Sequence, residues 1–99
     1  MQWKIKFHPL VIKEDFKKLG LSQKRKIIKE IKKKLTKDPL NDGEPLKGSF
    51  KGFRKLKVSE FRVIYEVIKD RVLVLIIKIG IRKDYQVYKE FFYRLKKII

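Results

Sequence analysis

The chain has no cysteine, which excludes a disulfide framework and thiolate metal sites and points to a reducing compartment. It has a single histidine, His8, too few for an imidazole-based metal or acid–base cluster. The longest apolar run, Val72 to Ile77, is far too short to span a bilayer. The opening MQWKIKFHPL lacks the sections of a signal peptide. A soluble cytoplasmic protein with no membrane contact is therefore expected. Acid is scarce as well: 11 Asp+Glu stand against 28 Lys+Arg, a formal net charge of +17. The absence of alanine and the crowding of Lys and Ile fit an AT-rich coding bias. Lysine enrichment in heat-adapted proteins usually brings matching glutamate. Here the acids do not keep pace, so bias alone does not explain the excess. Such a field attracts polyanions, nucleic acid first and an acidic protein second.

Ninety-nine residues make one domain, 1–99, near the lower size limit for a conventional core. Gln2 to Phe7 alternates, with Trp3, Ile5 and Phe7 on one face, as in a half-buried strand. Pro9 suits the first position of a helix carrying Val11, Ile12, Phe16 and Leu19, and Gly20 suits its stop. Ser22 is placed to cap a second helix with Ile27, Ile28, Ile31 and Leu35 on one face, ending by Pro39. The short link predicts an antiparallel helical hairpin. Residues 38–48 read as a loop. Three strands follow, near Phe53–Val58, Phe61–Ile68 and Val72–Ile79, the last apolar enough for mid-sheet. Asp84 is expected to cap a final helix with Tyr85, Tyr88, Phe92, Leu95 and Ile99 along one stripe and Val87, Phe91 and Ile98 along another. The order β-α-α-β-β-β-α defines an α+β domain: an antiparallel sheet with a helical hairpin packed on it and a C-terminal helix.

The strands distribute isolated cations. Lys55 and Lys57 share a face with Phe53, and Arg62 lies on the same side of its strand as Ile64 and Glu66. Alternation alone leaves open which face the helices cover. Lysines on a sheet face are ordinarily just solvated. Arg62, a lone arginine in an apolar strand, either pairs with an acid such as Glu66 or binds phosphate. Lys47, Arg82 and Tyr88 complete a set suited to a phosphodiester, and no cluster of His, Cys, Glu or Asp is expected to compete with it. No metal and no cofactor is expected. His8, before Pro9, reads as a capping or surface residue, and the lysines of Lys24 to Lys37 as the wet face of a helix. On residue chemistry alone Tyr88 reads as core packing. The rings of Tyr85, Phe91, Phe92 and Tyr93 exceed what one buried stripe needs, so part of this helix either meets a partner or packs in the core.

These pieces occur in a familiar order: L-K-G at 46–48, K-L-K at 55–57, F-R-V-I-Y-E-V at 61–67, I-G-I-R at 79–82, then Val87-Tyr88. The chain resembles the RelE branch of the RelE/ParE superfamily, toxins of type II toxin–antitoxin pairs, over nearly its whole length. The resemblance implies a ribosome-dependent endoribonuclease that cuts mRNA in the A site by 2′-hydroxyl attack and inhibits translation. It implies a metal-independent enzyme held inactive in a hetero-oligomer by an acidic, RelB-like antitoxin. By position it makes Tyr88 the general base, Arg82 the residue assisting the leaving 5′-oxygen, and Arg62 the stabiliser of the charged phosphorus intermediate. Lys55 and Lys57 hold phosphate and favour phenolate at Tyr88. Lys47 binds RNA where the family often has arginine; it keeps the charge and loses the bidentate fork. Such a set is rich in charge and poor in groups poised for proton transfer near neutrality, so substrate positioning must contribute much of the acceleration. Activity on free RNA should be poor.

The chain also departs from the pattern. Ile81 stands where a basic residue or histidine is common. Ser59-Glu60 replaces a glycine-containing turn, making a tight hairpin less favourable. Gly48 to Phe53 does not align cleanly, and Arg54 reads as a surface charge. Two other functions fit the same residues less well: a ParE-like inhibitor of DNA gyrase, and a non-catalytic basic RNA-binding module.

Overall fold

The computed structural model describes residues 2–98. Its strands are β1 (Lys4–Phe7), β2 (Glu44–Pro45), β3 (Arg54–Val58), β4 (Phe61–Ile68) and β5 (Leu73–Ile81), and its two long helices are α1 (Leu21–Leu35) and α2 (Gln86–Ile98). They build one sheet in the order β1-β5-β4-β3-β2. The β3-β4-β5 meander is antiparallel, as its turn-sized gaps predict. β1 adds to the far edge of β5 in parallel, Lys4 opposite Leu73 and Phe7 opposite Ile76, so the whole sheet is mixed. The alternating segment at the start of the chain is a half-buried edge strand, and apolar β5 is central.

The helical hairpin departs from its expected capping. The segment after Pro9 winds as a π-helix over Val11–Asp15 and tightens to a 3-10 turn over Phe16–Lys18. The wider winding turns Val11 and Asp15 inward together and leaves Ile12 exposed. His8 caps this segment, its Nδ1 accepting a hydrogen bond from the Leu10 N–H at 3.1 Å. Gly20, expected to stop the first helix, is instead the N-cap of α1, and Ser22 lies inside that helix. Gln23 explains the shift. Its Oε1 accepts from the Gly20 N–H at 3.0 Å, fixing the start two residues earlier than Ser22 would.

Each sheet face has its own core. Ile27, Ile31 and Leu35 of α1, with Val11, pack on Leu56, Val58, Val63, Tyr65, Val74, Ile76 and Ile79. On the opposite face Val87 and Phe91 of α2 pack on Ile64 and Ile77, with Phe50 and Phe53 against the Phe91 ring at 5.2 and 5.1 Å. Truncating Phe91 to alanine would cost about 3–5 kcal/mol. A bulge interrupts the alternation of β5. Ile64 pairs with Lys78 but Tyr65 pairs with Ile76, so Ile77 is an extra residue in β5. Gly80 then lets α2 come close, because a Cβ there would stand 3.0 Å from Val87 Cγ2. Of the two predicted stripes on α2, Val87 and Phe91 are buried, with Arg94 in line, while Tyr88 and Leu95 are half-buried. Phe92 and Ile98 are exposed, and Ile99 lies outside the described residues.

Asp84 does not cap α2. The chain takes left-handed conformations at Asp84 (φ 55°) and Tyr85 (φ 58°), and these turn it from β5 into the helix. Ser59-Glu60 does form a tight hairpin, contrary to expectation, with Val58 opposite Phe61. Ser59 takes φ 55° without the help of glycine. The turn is held from outside, by Arg62 donating to the Ser59 carbonyl at 3.1 Å and the Arg82 N–H donating to the Glu60 carbonyl at 2.8 Å.

Candidate nucleic-acid interface

The α2 face of the sheet collects the cations. Lys57 sits directly opposite Arg62, and Arg62 opposite Gly80; one step along, Lys55 sits opposite Ile64. Side chains opposite one another point to the same face, so Lys55, Lys57 and Arg62 form one group beside α2. Tyr88 leans into it from the first turn of the helix, and Lys55 Nζ stands 5.7 Å from the centre of its ring. Such contacts hold an ammonium against a phenol ring while leaving its other protons free for an anion.

Of the two courses foreseen for a lone strand arginine, an acidic partner or a phosphate, Arg62 does not take the first. It makes no ion pair with Glu66 among the described residues. Instead one guanidinium nitrogen donates to the carbonyls of Ser59 and Phe61, at 3.1 and 2.8 Å. Only 8 % of the residue is exposed. Main-chain carbonyls therefore orient its positive charge without neutralising it. Arg82 lies one residue beyond β5, exposed, at the sheet end where Arg62 pairs with Gly80. Lys47 stands apart from that end. It follows β2, past the Leu46–Phe53 hydrogen bond, at the opposite end of β3 from Lys57.

Sequence reasoning missed an acid in this group. Glu44 of β2 pairs with Lys55 in register, and its carboxylate reaches Lys57 Nζ at 3.3 Å and Lys55 Nζ at 4.0 Å. It belongs to an exposed two-residue strand in a region that reads as loop, so no periodicity marks it. Arg54 was misread as a surface charge. Its guanidinium donates to the carbonyls of Leu40 and Gly43, at 2.6 and 2.7 Å, and ties the loop before Glu44 to β3. Tyr65 completes the clamp by donating to the Pro39 carbonyl at 2.7 Å. Burial pushes the Tyr65 phenol up, only partly offset by Arg54, so this tyrosine is a structural donor. A Cβ on Gly43 would collide with the Tyr65 hydroxyl and come within 2.8 Å of the Lys55 carbonyl oxygen.

A second set of charges lies on the other flank of α2 and also escaped the sequence reading. Asp15, 1 % exposed, accepts from Lys78 Nζ at 3.0 Å, from both terminal nitrogens of Arg94 at 2.8 Å, and from the Ile79 N–H at 2.8 Å. Arg94 also donates to the Ile77 carbonyl at 2.9 Å and to Glu14 at 3.1 Å, and Lys78 pairs with Glu90 at 2.8 Å. β1 ends opposite Ile76, leaving the next stretch of the β5 edge without a strand partner. Asp15 and Arg94 satisfy that edge in its place. Burial works against ionised Arg94, but its hydrogen bonds and charge contact with Asp15 outweigh that and push its pKa up. For Glu90 burial likewise opposes charge, and the hydrogen bonds from Lys78 and Gln86 win, holding its carboxyl below the usual range.

Among the described residues no group of three or more His, Cys, Asp or Glu could hold a metal ion. No helix there is long and apolar enough to cross a membrane.

Comparison with known proteins places this geometry. The mRNA interferase toxin RelE of Escherichia coli is 32% identical over 84 residues, 77% of this chain and 88% of that protein. A free-state structure of E. coli RelE, a double-arginine mutant, superposes with a TM-score of 0.75 and 25% identity over 100% of both chains. The same toxin in complex with an antitoxin RelB peptide gives 0.70 and 27% identity, covering 91% of this chain and 94% of that one. A family model described as ParE toxin of the type II toxin–antitoxin system parDE matches residues 5–85. The chain belongs to this family of type II toxin–antitoxin toxins, in its RelE branch.

Proposed function

We propose that the chain is the toxin of a type II toxin–antitoxin pair and acts as a RelE-like mRNA interferase, a ribosome-dependent endoribonuclease working in the cytoplasm. One observation supports this above the others: Lys57 opposite Arg62, with Lys55 over the ring of Tyr88, on a single face. That face offers cations to the nonbridging oxygens of a phosphodiester and a phenol oxygen to the adjacent ribose. In the reaction Tyr88 accepts the proton of the 2′-hydroxyl as its oxygen attacks phosphorus. Negative charge builds on the nonbridging oxygens and is met by Arg62 and Lys57, the logic of an oxyanion hole. The bond to the 5′-oxygen breaks, and Arg82 stabilises the departing alkoxide, which takes a proton from solvent. The products are a 2′,3′-cyclic phosphate and a 5′-hydroxyl, and Tyr88 returns its own proton to solvent. Lys47, at the far end of β3, holds the strand away from the reacting phosphate.

Glu44 gives the site a resting state. Its carboxylate lies between the two lysines that the phosphate needs, so RNA must displace it. The partner that silences the site is an acidic, RelB-like antitoxin whose charge complements +17. Among solved relatives, E. coli RelE is seen in complex with an antitoxin RelB peptide, which supports that assignment.

The test is cleavage of an mRNA engaged by ribosomes, comparing wild type, Arg82→Ala and Tyr88→Phe. Codon-phased cuts by wild type, lost in both variants, are expected. If Tyr88→Phe keeps activity that Glu44→Gln removes, the base is Glu44. The matching family model bears the name ParE, which favours gyrase inhibition as the second reading; intact message with inhibited gyrase would establish it.

A further inference from the structure

Three aromatic residues on or beside α2 do not serve the core. Phe91 and Val87 fill it, while Tyr85, Tyr93 and Phe92 are 69, 64 and 40 % exposed. With Phe50, Tyr88 and Lys89 they line an open groove of about 290 Å³. The rings fall in two groups: Tyr85 with Tyr88 at 6.5 Å, and Phe92 with Phe50 at 6.3 Å and with Tyr93 at 5.8 Å. Cations interleave with them. Lys96 Nζ lies 4.5 Å from the centre of Phe92 and 5.9 Å from Tyr93, Lys89 is in the lining, and no acid lines the groove. Tyr88 belongs to both places, since its ring bounds the groove and carries Lys55 Nζ at 5.7 Å.

Exposed rings set among lysines are what a single-stranded nucleic acid requires, because every base has a π-face and every nucleotide a charge. A docked peptide helix would need a longer run of pockets spaced at i, i+3, i+4 and i+7. This groove is one patch, at the lower end of the roughly 300–1,000 Å³ of small-ligand sites. It suits one flat ring. At its far rim Phe50 is tied to the Lys47 carbonyl by its N–H at 3.3 Å, so a strand leaving the groove runs toward Lys47.

We propose that this groove takes an unpaired nucleobase neighbouring the phosphate held by Lys55, Lys57 and Arg62, stacked on Tyr85 and Phe92. The inference rests on the ribonuclease reading for the identity of the strand, and its test separates the two. The full-length protein is titrated with a 2′-O-methylated single-stranded RNA, which cannot be cut, carrying 2-aminopurine at successive positions. Wild type should quench the fluorescence at one position. The double variant Tyr85→Leu/Phe92→Leu keeps apolar bulk and loses the π-faces; it should abolish that quenching and weaken binding roughly 5- to 150-fold. Tyr85→Phe should retain both. Thermal melting of each variant shows that the fold survives. Unchanged quenching and affinity in the double variant would overturn the inference. So would unchanged RNA binding with lost affinity for an acidic antitoxin peptide, which would make the groove a peptide site. Wild type that quenches at one position but leaves ribosome-engaged mRNA intact would uphold the base site and sink only the ribonuclease reading.

Discussion

The two flanks of α2 carry the same kinds of side chain to opposite ends. On one flank Asp15, Lys78 and Arg94 are buried and matched, each charge answered at 2.8–3.0 Å. On the other, among the described residues, Lys55 and Lys57 pair only with Glu44, at 4.0 and 3.3 Å, and Arg62 and Arg82 pair with no acid. Buried ions cannot be left without partners, so the first set has no freedom and reads as structure. Lys57 and Arg82 at the surface stay hydrated until an anion arrives, and buried Arg62 is held by main-chain carbonyls that leave its charge uncancelled, so the second set is available for binding. Sign balance, more than residue type or burial, separates architecture from chemistry in this small domain.

The largest expected effect breaks the matched flank. Asp15→Ala takes from buried Lys78 and Arg94 the acid they share, leaving only the partly exposed Glu90 and Glu14 to answer them, and should cost about 3–5 kcal/mol by urea unfolding. An apolar triple replacement, Asp15→Leu with Lys78→Met and Arg94→Met, should recover only part of it, because the Ile79 N–H and the Ile77 carbonyl lose their partners. A single-variant loss under about 1 kcal/mol would erase the contrast, since surface changes give as much. On the open flank Arg82→Ala should lower cleavage by about 10²-fold or more, on the scale of removing one transition-state donor, while stability stays within about 0.5 kcal/mol.

The two tyrosines sharpen the same comparison on a smaller scale. Tyr65→Phe strands the Pro39 carbonyl and should cost about 1–2 kcal/mol with cleavage intact. Tyr88→Phe should do the reverse, measured by the same unfolding and cleavage assays. Acid gives a subtler probe. Glu90 has its pKa lowered in the folded protein, so the stability it adds is complete above its unfolded pKa and fades as pH falls through the lower, folded one. Melting temperature should therefore fall with acid in wild type and less steeply in Glu90→Gln. The smallest effect belongs to Glu44→Gln, which frees Lys55 and Lys57. RNA affinity should rise a few-fold with stability unchanged within about 0.5 kcal/mol.

Much of this was legible in the sequence. The β3-β4-β5 meander, the buried stripe Ile27–Ile31–Leu35 and the shared face of Lys55 and Lys57 follow from periods of 2 and 3.6. The placing of Tyr88 beside Lys55 did not; it depended on family likeness. What escaped were contacts between residues far apart in the chain. Asp15 sits inside an apolar helical stripe, Lys78 inside a run of Val, Leu and Ile, and Arg94 in line with Val87 and Phe91. Each is a charge at a core position, a signal that three buried ions must meet. Nothing local says that they meet one another. The two capping errors have a local cause: Gln23 outcompetes Ser22, and paired left-handed residues at Asp84-Tyr85 set the turn where a side-chain cap was expected.

The parallel pairing of β1 dictates an order of assembly. Lys4 finds its strand partner only at Leu73, and Asp15 meets Arg94 79 residues later. Contacts of such span come late, after the local meander has formed. During synthesis the first strand is an unpaired edge and Asp15 a charge awaiting its cation, so the nascent chain exposes the one until Leu73 has emerged and the other until Arg94 has. The docking of α2, which carries Tyr88 to the lysines, shares that last step. The toxin is thus completed in the same event that completes its fold.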